Sequence, residues 1–266
     1  MSIPPPGRTR GTAGEDAMIQ SVDRAIRVLG VLQGARLLSL SEVAARLELP
    51  PSTVHGIIKT LLAHGMVVQD RATARYRLGP AVLKLGNVYL DTLELRSHTL
   101  SWSPELARRT GFAVRTGVAL PDEVMIIHHE PRPDGSRQMP EVGIVIPIHA
   151  SALGKVILAY SPELSDGLGS GELRSMTGDT VTDANALREQ LTAVRTNALA
   201  TEQEEAVLGE CGLAAPIFDA TGAVAGAIGV VVPMLEWPAE GAVATAVREA
   251  ARNISRELGA PRWPGA

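Results

Sequence analysis

The chain is short of cysteine and of aromatic residues. Phe, Tyr and Trp make up 3% of its 266 residues, and Cys211 is its single thiol. One cysteine excludes an intramolecular disulfide and a cysteine-built zinc cluster. No apolar run approaches the roughly 20 residues that span a bilayer, and the N-terminal stretch MSIPPPGRTRGTAGEDAMIQ has no apolar segment suited to a signal peptide. Its prolines, glycines and mixed charges predict a flexible tail over 1–19. The chain is therefore expected in the cytoplasm, with no membrane partner. Catalytic signatures are absent as well. There is no His-Glu-x-x-His motif, Walker loop or dinucleotide glycine fingerprint. Ser151 lies in SALGK rather than in a nucleophile elbow. His128 and His129 are neighbours in an expected strand, so they point to opposite faces and cannot chelate one metal. No catalytic residue, cofactor or metal site is expected.

Hydrophobic residues form 45% of the chain and charged residues 20%, a composition that suits a folded core. The net charge of −4 is unevenly spread. Residues 21–80 carry eight basic and four acidic side chains, a balance of +4, whereas residues 81–266 carry 15 basic and 23 acidic ones, a balance of −8. A small basic unit thus precedes a larger acidic one, and the first is the better match to a polyanion.

Within the basic unit, SVDRAIRVLGVLQ places Val22, Ile26, Leu29 and Leu32 at helical spacing, with Gly34 as a stop. LSLSEVAARLEL predicts a second helix, with Ser39 and Glu42 matching a capping box and Leu40, Val43, Ala44 and Leu47 as its apolar stripe. A third helix starts at Pro51, where a missing amide costs nothing, and carries Val54, Ile57, Ile58, Leu61 and Leu62 inward. Gly65 suits its left-handed end. MVVQDRATARYRLGP then turns near Asp70–Thr73, and Tyr76 and Leu78 alternate with Arg75 and Arg77. Three helices and such a hairpin make a winged helix-turn-helix over 20–80, with the helix-turn-helix at about 39–64 and the wing at 66–79. In that fold the third helix offers Pro51, Ser52, Thr53, His55 and Lys59 to double-stranded DNA, and the wing adds Arg71, Arg75 and Arg77. The rival reading is a helical module that contacts protein.

PAVLKLGNVYLDTLELRSHTLSW continues as a helix over 81–100, with Val82, Leu85, Val88 and Tyr89 at helical spacing. FAVRTGVAL and EVMIIHHEP predict strands around Pro121–Asp122, and EVGIVIPIH a third. SALGKVILAY opens a helix with Ser151 as N-cap, and DANALREQLTAVRTNA another, led by Asp183. LAAPIFDATGAVAGAIGVVVP is strand, turn at Asp219–Gly222 and strand, and PAEGAVATAVREAARNISRELG a closing helix with Val243, Val247, Ile254 and Leu258 inward. These elements predict an α+β domain over 101–260 with a mainly antiparallel sheet. The amides of Ala152, Leu153 and Gly154, free at a helix start, suit an anionic group. Lys155 has three readings: a salt-bridge partner, a ligand contact or plain surface. Glu202, Glu204 and Glu205 are either a solvated edge or part of a site, and a small-molecule enzyme would need Glu202 and Lys155 as acid and base.

SVDRAIRVLGVLQ, LSLSEVAARLELPPSTVHGIIKTLLAHG, YRLGPAVLKLG, HASALGKVILAY and EQEEAVLGECGLAAPIFDATGAVAGAIGV, in that order, resemble the IclR (isocitrate-lyase-regulator) family of bacterial transcription factors over about 20–259. The resemblance implies a DNA-binding domain, a linker helix that helps dimerise, and a GAF-like effector domain. It implies a homodimer or dimer of dimers on a palindromic operator, more often a repressor, that a small organic molecule modulates. Two DNA-facing positions depart from the family: Pro51 stands where a basic residue is common, and Gly56 where an arginine is. By the same resemblance the effector pocket lies between the start of the SALGKV helix, Ser151 included, and the sheet. Glu202 takes the place of an acidic pocket residue. Gly212 stands where a cysteine is common, with Cys211 beside it, and Gly229 and Val231 where serines are found. With those polar groups missing, the expected pocket is roomy and apolar, and the expected effector a larger aromatic or aliphatic carboxylic acid.

Overall fold

The computed structural model describes residues 19–35, 37–168, 173–239 and 241–264. The tail expected to be flexible lies, Ile19 apart, outside the described residues, as does Arg36. The chain divides after Tyr89 into two compact units.

The first unit holds α1 (Gln20–Gln33), α2 (Leu40–Leu47) and α3 (Pro51–Ala63), followed by the hairpin of β1 (Val67–Gln69) and β2 (Tyr76–Leu78). The capping box forms as the sequence indicates: Glu42 N donates to Ser39 Oγ at 3.3 Å, and Ser39 N donates to Glu42 Oε2 at 2.7 Å. Pro51 is the first residue of α3, and Gly65, at φ +67°, follows its end. Val28, Leu32, Val43, Val54, Ile58 and Val67 meet in one small core, each contributing about 1.5–3 kcal/mol through burial. The expected face of α1 holds for Leu29 and Leu32, which join the core, and fails for the other two residues. Val22 and Ile26 are 52% and 63% exposed, and Val28 and Leu32 are the residues turned inward. The helix carries two apolar stripes about 120° apart, and α2 and α3 cover only one.

Where one helix over 81–100 was expected, there are two. α4 (Pro80–Thr92) ends at Leu93, whose extended backbone (φ −85°, ψ 98°) precedes α5 (Glu94–Thr110). α4 buries none of its residues, whereas α5 buries Leu95, Thr99, Ser103, Leu106 and Ala107 and belongs to the second core.

The second unit is an antiparallel six-stranded sheet in the order β5-β4-β3-β8-β7-β6. β3 (Ala113–Ala119) and β4 (Glu123–Glu130) form a hairpin. The strand expected over 141–149 is short: β5 spans Val145–Pro147 and passes into a 3₁₀ turn, Ile148–Ala150. α6 (Ala152–Tyr160), α7 (Pro162–Gly167) and α8 (Ala184–Asn197, capped by Asp183) follow. β6 (Ala200–Gln203) is an edge strand absent from the sequence reading. β7 (Glu210–Phe218) and β8 (Val224–Pro233) meet at a turn where Asp219 Oδ1 accepts the amides of Thr221 and Ala223. α9 (Gly241–Glu257) closes the unit, burying Val243, Val247 and Ile254. Along β7, Cys211, Leu213, Ala215 and Ile217 join the core shared with α5 and α9. Ala214 joins the core under α6 and α8. Both faces of the central strands are covered, so β7 and β8 read as nearly continuous apolar runs. No described helix is long and apolar enough to cross a membrane.

Candidate nucleic-acid interface and effector cavity

The exposed side of α3 carries Ser52, His55, Gly56 and Lys59, with Thr53 half-buried beside them. Val54, Ile58 and Leu61 anchor the opposite side, so packing fixes which residues face out. No side chain caps the start of α3. The wing's tip is built by Asp70, whose Oδ1 accepts from the amides of Ala72 and Thr73 and from the Thr73 hydroxyl. Those bonds, the Thr73 hydroxyl first, hold the Asp70 carboxyl below its usual range. Arg71 and Arg77 are exposed. Arg75 differs. Its guanidinium lies 3.4 Å from Glu42 Oε2 and donates to the Leu37 carbonyl. The three wing arginines are therefore not equivalent, because one is held by the capping carboxylate of α2.

In the second unit, Ser151, Ala152, Leu153, Glu202, Gly212, Gly229 and Val231 line one cavity. Residues spread over 80 positions of sequence are brought together by the antiparallel order of β6, β7 and β8 beneath α6. Two expectations change. Gly154 is not a lining residue: its amide donates to Ser151 Oγ at 3.1 Å, the N-cap bond, and is not free for a ligand. A Cβ there would lie 1.9 Å from the Ile148 carbonyl oxygen, so this glycine permits close packing. Nor is the cavity roomy. A Cβ on Gly229 would lie 2.3 Å from the Leu213 carbonyl oxygen, and one on Gly212 would lie 3.1 Å from Glu202 Oε1. The walls have closed over the missing side chains, leaving about 30 Å³ of free space, the scale of one or two water molecules.

The cavity's polar groups are specific. Burial raises the Glu202 carboxyl to about 7, against the bond from the Glu205 amide to its Oε2 at 3.1 Å. Near neutral pH this group both donates and accepts. Lys155, 1% exposed, forms a buried ion pair with Glu205, whose other oxygen accepts the Val181 amide at 3.3 Å. Of the three readings of Lys155, the salt-bridge partner is the one observed, and the acidic run is not a solvated edge. An acid–base pair of Glu202 with Lys155 does not form, since Lys155 is committed to Glu205. Arg115 also lines the cavity and was missed. It pairs with Glu141 and, at 3.0 Å, with Glu210. Burial opposes its charge, but the two carboxylates outweigh burial and raise its affinity for the proton. Its signal was an arginine inside the otherwise apolar strand FAVRTGVAL. His128 is buried, which lowers its pKa to about 4 and keeps it neutral. Among the described residues no group of three or more His, Cys, Asp or Glu could hold a metal ion.

Known proteins place this architecture. Residues 21–71 match the IclR helix-turn-helix domain, and residues 87–256 match the bacterial transcriptional regulator IclR C-terminal domain. The glycerol operon regulatory protein of Streptomyces griseus is 44% identical over 250 residues, covering 92% of this chain and 98% of that protein. Its namesake from Streptomyces coelicolor is 40% identical over the same shares. An IclR homolog from Microbacterium hydrocarbonoxydans, solved in complex with 4-hydroxybenzoate, superposes with a TM-score of 0.75 at 25% identity, covering 90% of this chain and 98% of that one. With a helix-turn-helix that reads DNA and an effector-binding domain behind it, the chain belongs to the IclR family of bacterial transcriptional regulators.

Proposed function

We propose that this regulator represses genes of glycerol use and is released, or retuned, by a small polar metabolite held in the cavity between α6 and the sheet. The observation that carries the reading is the convergence of Ser151, Ala152, Leu153 and Glu202 on one small buried space. Support for the class of effector is twofold. The two Streptomyces relatives are named for the glycerol operon. At about 30 Å³ the cavity must open to take any effector, and a compact, hydroxyl-rich molecule needs less opening than the larger apolar acid that the missing serines suggested. A carboxyl that titrates near 7 can donate to one hydroxyl and accept from another.

Residues 20–80 would read the operator through Ser52, Thr53, His55 and Lys59, with Arg71 and Arg77 on phosphates. α4 would act as the linker. It buries no residue, and Leu83, Leu85 and Val88 are about 60% exposed or more. Ile19, just before α1, and Val22 and Ile26 on it are also more than half exposed. The bare apolar surface of α4 and the stripe on α1 suit a second copy of the chain, and a two-fold dimer suits a palindromic operator. Effector and operator would then bind with reciprocal coupling.

The test is calorimetry on the full chain with glycerol, glycerol phosphate and 4-hydroxybenzoate. Binding of a glycerol compound, lost in Glu202→Leu, is the expected result. Tight binding of 4-hydroxybenzoate alone would overturn the assigned effector class.

A further inference from the structure

The second unit is acidic overall, yet three of its arginines line one cleft. Arg252 and Arg256 project from the last two turns of α9, and Arg262 comes from the segment that follows. The cleft encloses about 500 Å³, within the size range of small-molecule sites. Trp263 lines it and is fixed by a bond from its indole N–H to the Pro216 carbonyl at 3.0 Å. Among the described residues no carboxylate lines the cleft. Neighbouring acids are engaged elsewhere. Glu257 accepts from the Trp102 indole and bonds to His98, Glu249 pairs with Arg109, and Asp219 holds its own turn. Among the described residues, none of the three arginines has a salt bridge.

Arg252 and Arg256 are four apart on one helix face, where like charges repel. The C-terminal end of α9 favours a cation and accounts for Arg256. It does not account for Arg262, which adds a third charge to the same space. Ala260, Pro261, Arg262 and Trp263 lie beyond residue 256, where the match to the family's effector domain ends. Part of the cleft thus lies past the matched domain, and the cleft does not include any residue of the cavity under α6.

We propose that this cleft is a second ligand site, one that takes a small phosphorylated metabolite with two or more phosphate charges. Guanidinium groups are planar forks that bind phosphate oxygens in pairs, and three of them around one concave space match a polyphosphate better than a single carboxylate. The indole of Trp263 offers an apolar wall to the rest of the molecule. A concave cleft, rather than a flat basic surface, argues for a small molecule over duplex DNA.

The test uses the full chain in phosphate-free buffer at low salt, titrated in a calorimeter with pyrophosphate, ATP and adenosine. Saturable binding of pyrophosphate or ATP at one site per chain is expected, with no heat from adenosine. The Arg252→Ala/Arg256→Ala double variant should weaken it at least tenfold, and so should Arg262→Glu, which lies past the last helix and tests the site even if the double variant fails to fold. ATP binding more tightly than pyrophosphate would assign the base to the indole wall, and equal binding would assign a plain phosphoester. The proposal is overturned if neither phosphate compound binds, if binding survives Arg262→Glu, or if the variants alter only operator DNA binding.

Discussion

Lys155 and Glu205 test the energetics of the effector domain most sharply. Their side chains are 1% and 7% exposed, so both charges sit in a low-dielectric core. Each would be costly there without the other. Lys155→Met leaves Glu205 buried with only the Val181 amide and the bulk of the core around it. The expected loss is about 3–5 kcal/mol, the range for breaking a buried pair. For a unit of this size that is a fall of roughly 10 °C in Tm. Glu205→Leu should cost a similar amount by stranding the ammonium. Lys155→Met/Glu205→Leu removes both charges and refills the space with apolar atoms, so it should return to within about 2 kcal/mol of the parent. Scanning calorimetry of the full chain, read on the transition of the larger unit, measures all four corners of the cycle. Single variants within about 1 kcal/mol of the parent, or a double variant that loses the sum of the two, would refute the reasoning.

Three further outcomes follow from the same structure. Gly154→Ala places a Cβ against the Ile148 carbonyl and should destabilise the chain by about 3 kcal/mol in chemical denaturation, whereas the exposed Gly56→Ala should not. The Glu202 carboxyl holds its proton more tightly in the folded chain, at about 7 against an ordinary 4.5. Its contribution is therefore fully present below pH 4.5 and is lost as pH rises through 7, by at most roughly 3 kcal/mol; Glu202→Gln should flatten that part of the Tm–pH curve. Leu85→Glu/Val88→Glu puts charge on one bare face of α4 and should shift the chain toward monomer in sedimentation, with the helical circular dichroism signal retained.

Some of this was written locally and some was not. Ser39 and Glu42, Pro51, Gly65 and Asp183 announced their helix ends because caps are short-range chemistry. The turns at Asp70 and Asp219 were legible for the same reason. In α1, periodicity detected the helix but only part of its buried face: Val22–Ile26 and Val28–Leu32 have the same spacing, and which is covered depends on α2 and α3. The edge strand β6 reads Ala-Thr-Glu-Gln, too short and too polar to stand out. The segment 81–100 also reads as the first helix of the second core, but the separation of α5 from α4 and its run to Thr110 were not legible, because Thr99 and Ser103 are among its buried residues. The expected effector positions came from the helix start at Ser151 and, for the strand residues, from family resemblance; seven of the eight share one cavity, and the eighth, Gly154, spends its amide on the N-cap. The ion pairs Lys155–Glu205 and Arg115–Glu210 join residues 50 and 95 positions apart, a separation that no local pattern reports.

The central claim is that α3 and the wing read DNA under the control of a bound metabolite. It is tested most directly by fluorescence anisotropy of the full chain on duplexes enriched by in vitro selection, at several salt concentrations. The selected sequences should be palindromic. Arg77→Ala should weaken binding and reduce the slope of log K against log salt by about one. Glycerol or its phosphate should shift the parent's affinity but not that of Glu202→Leu. Failure to enrich any sequence, or an Arg77→Ala slope equal to the parent's with no response to either compound, would contradict the account.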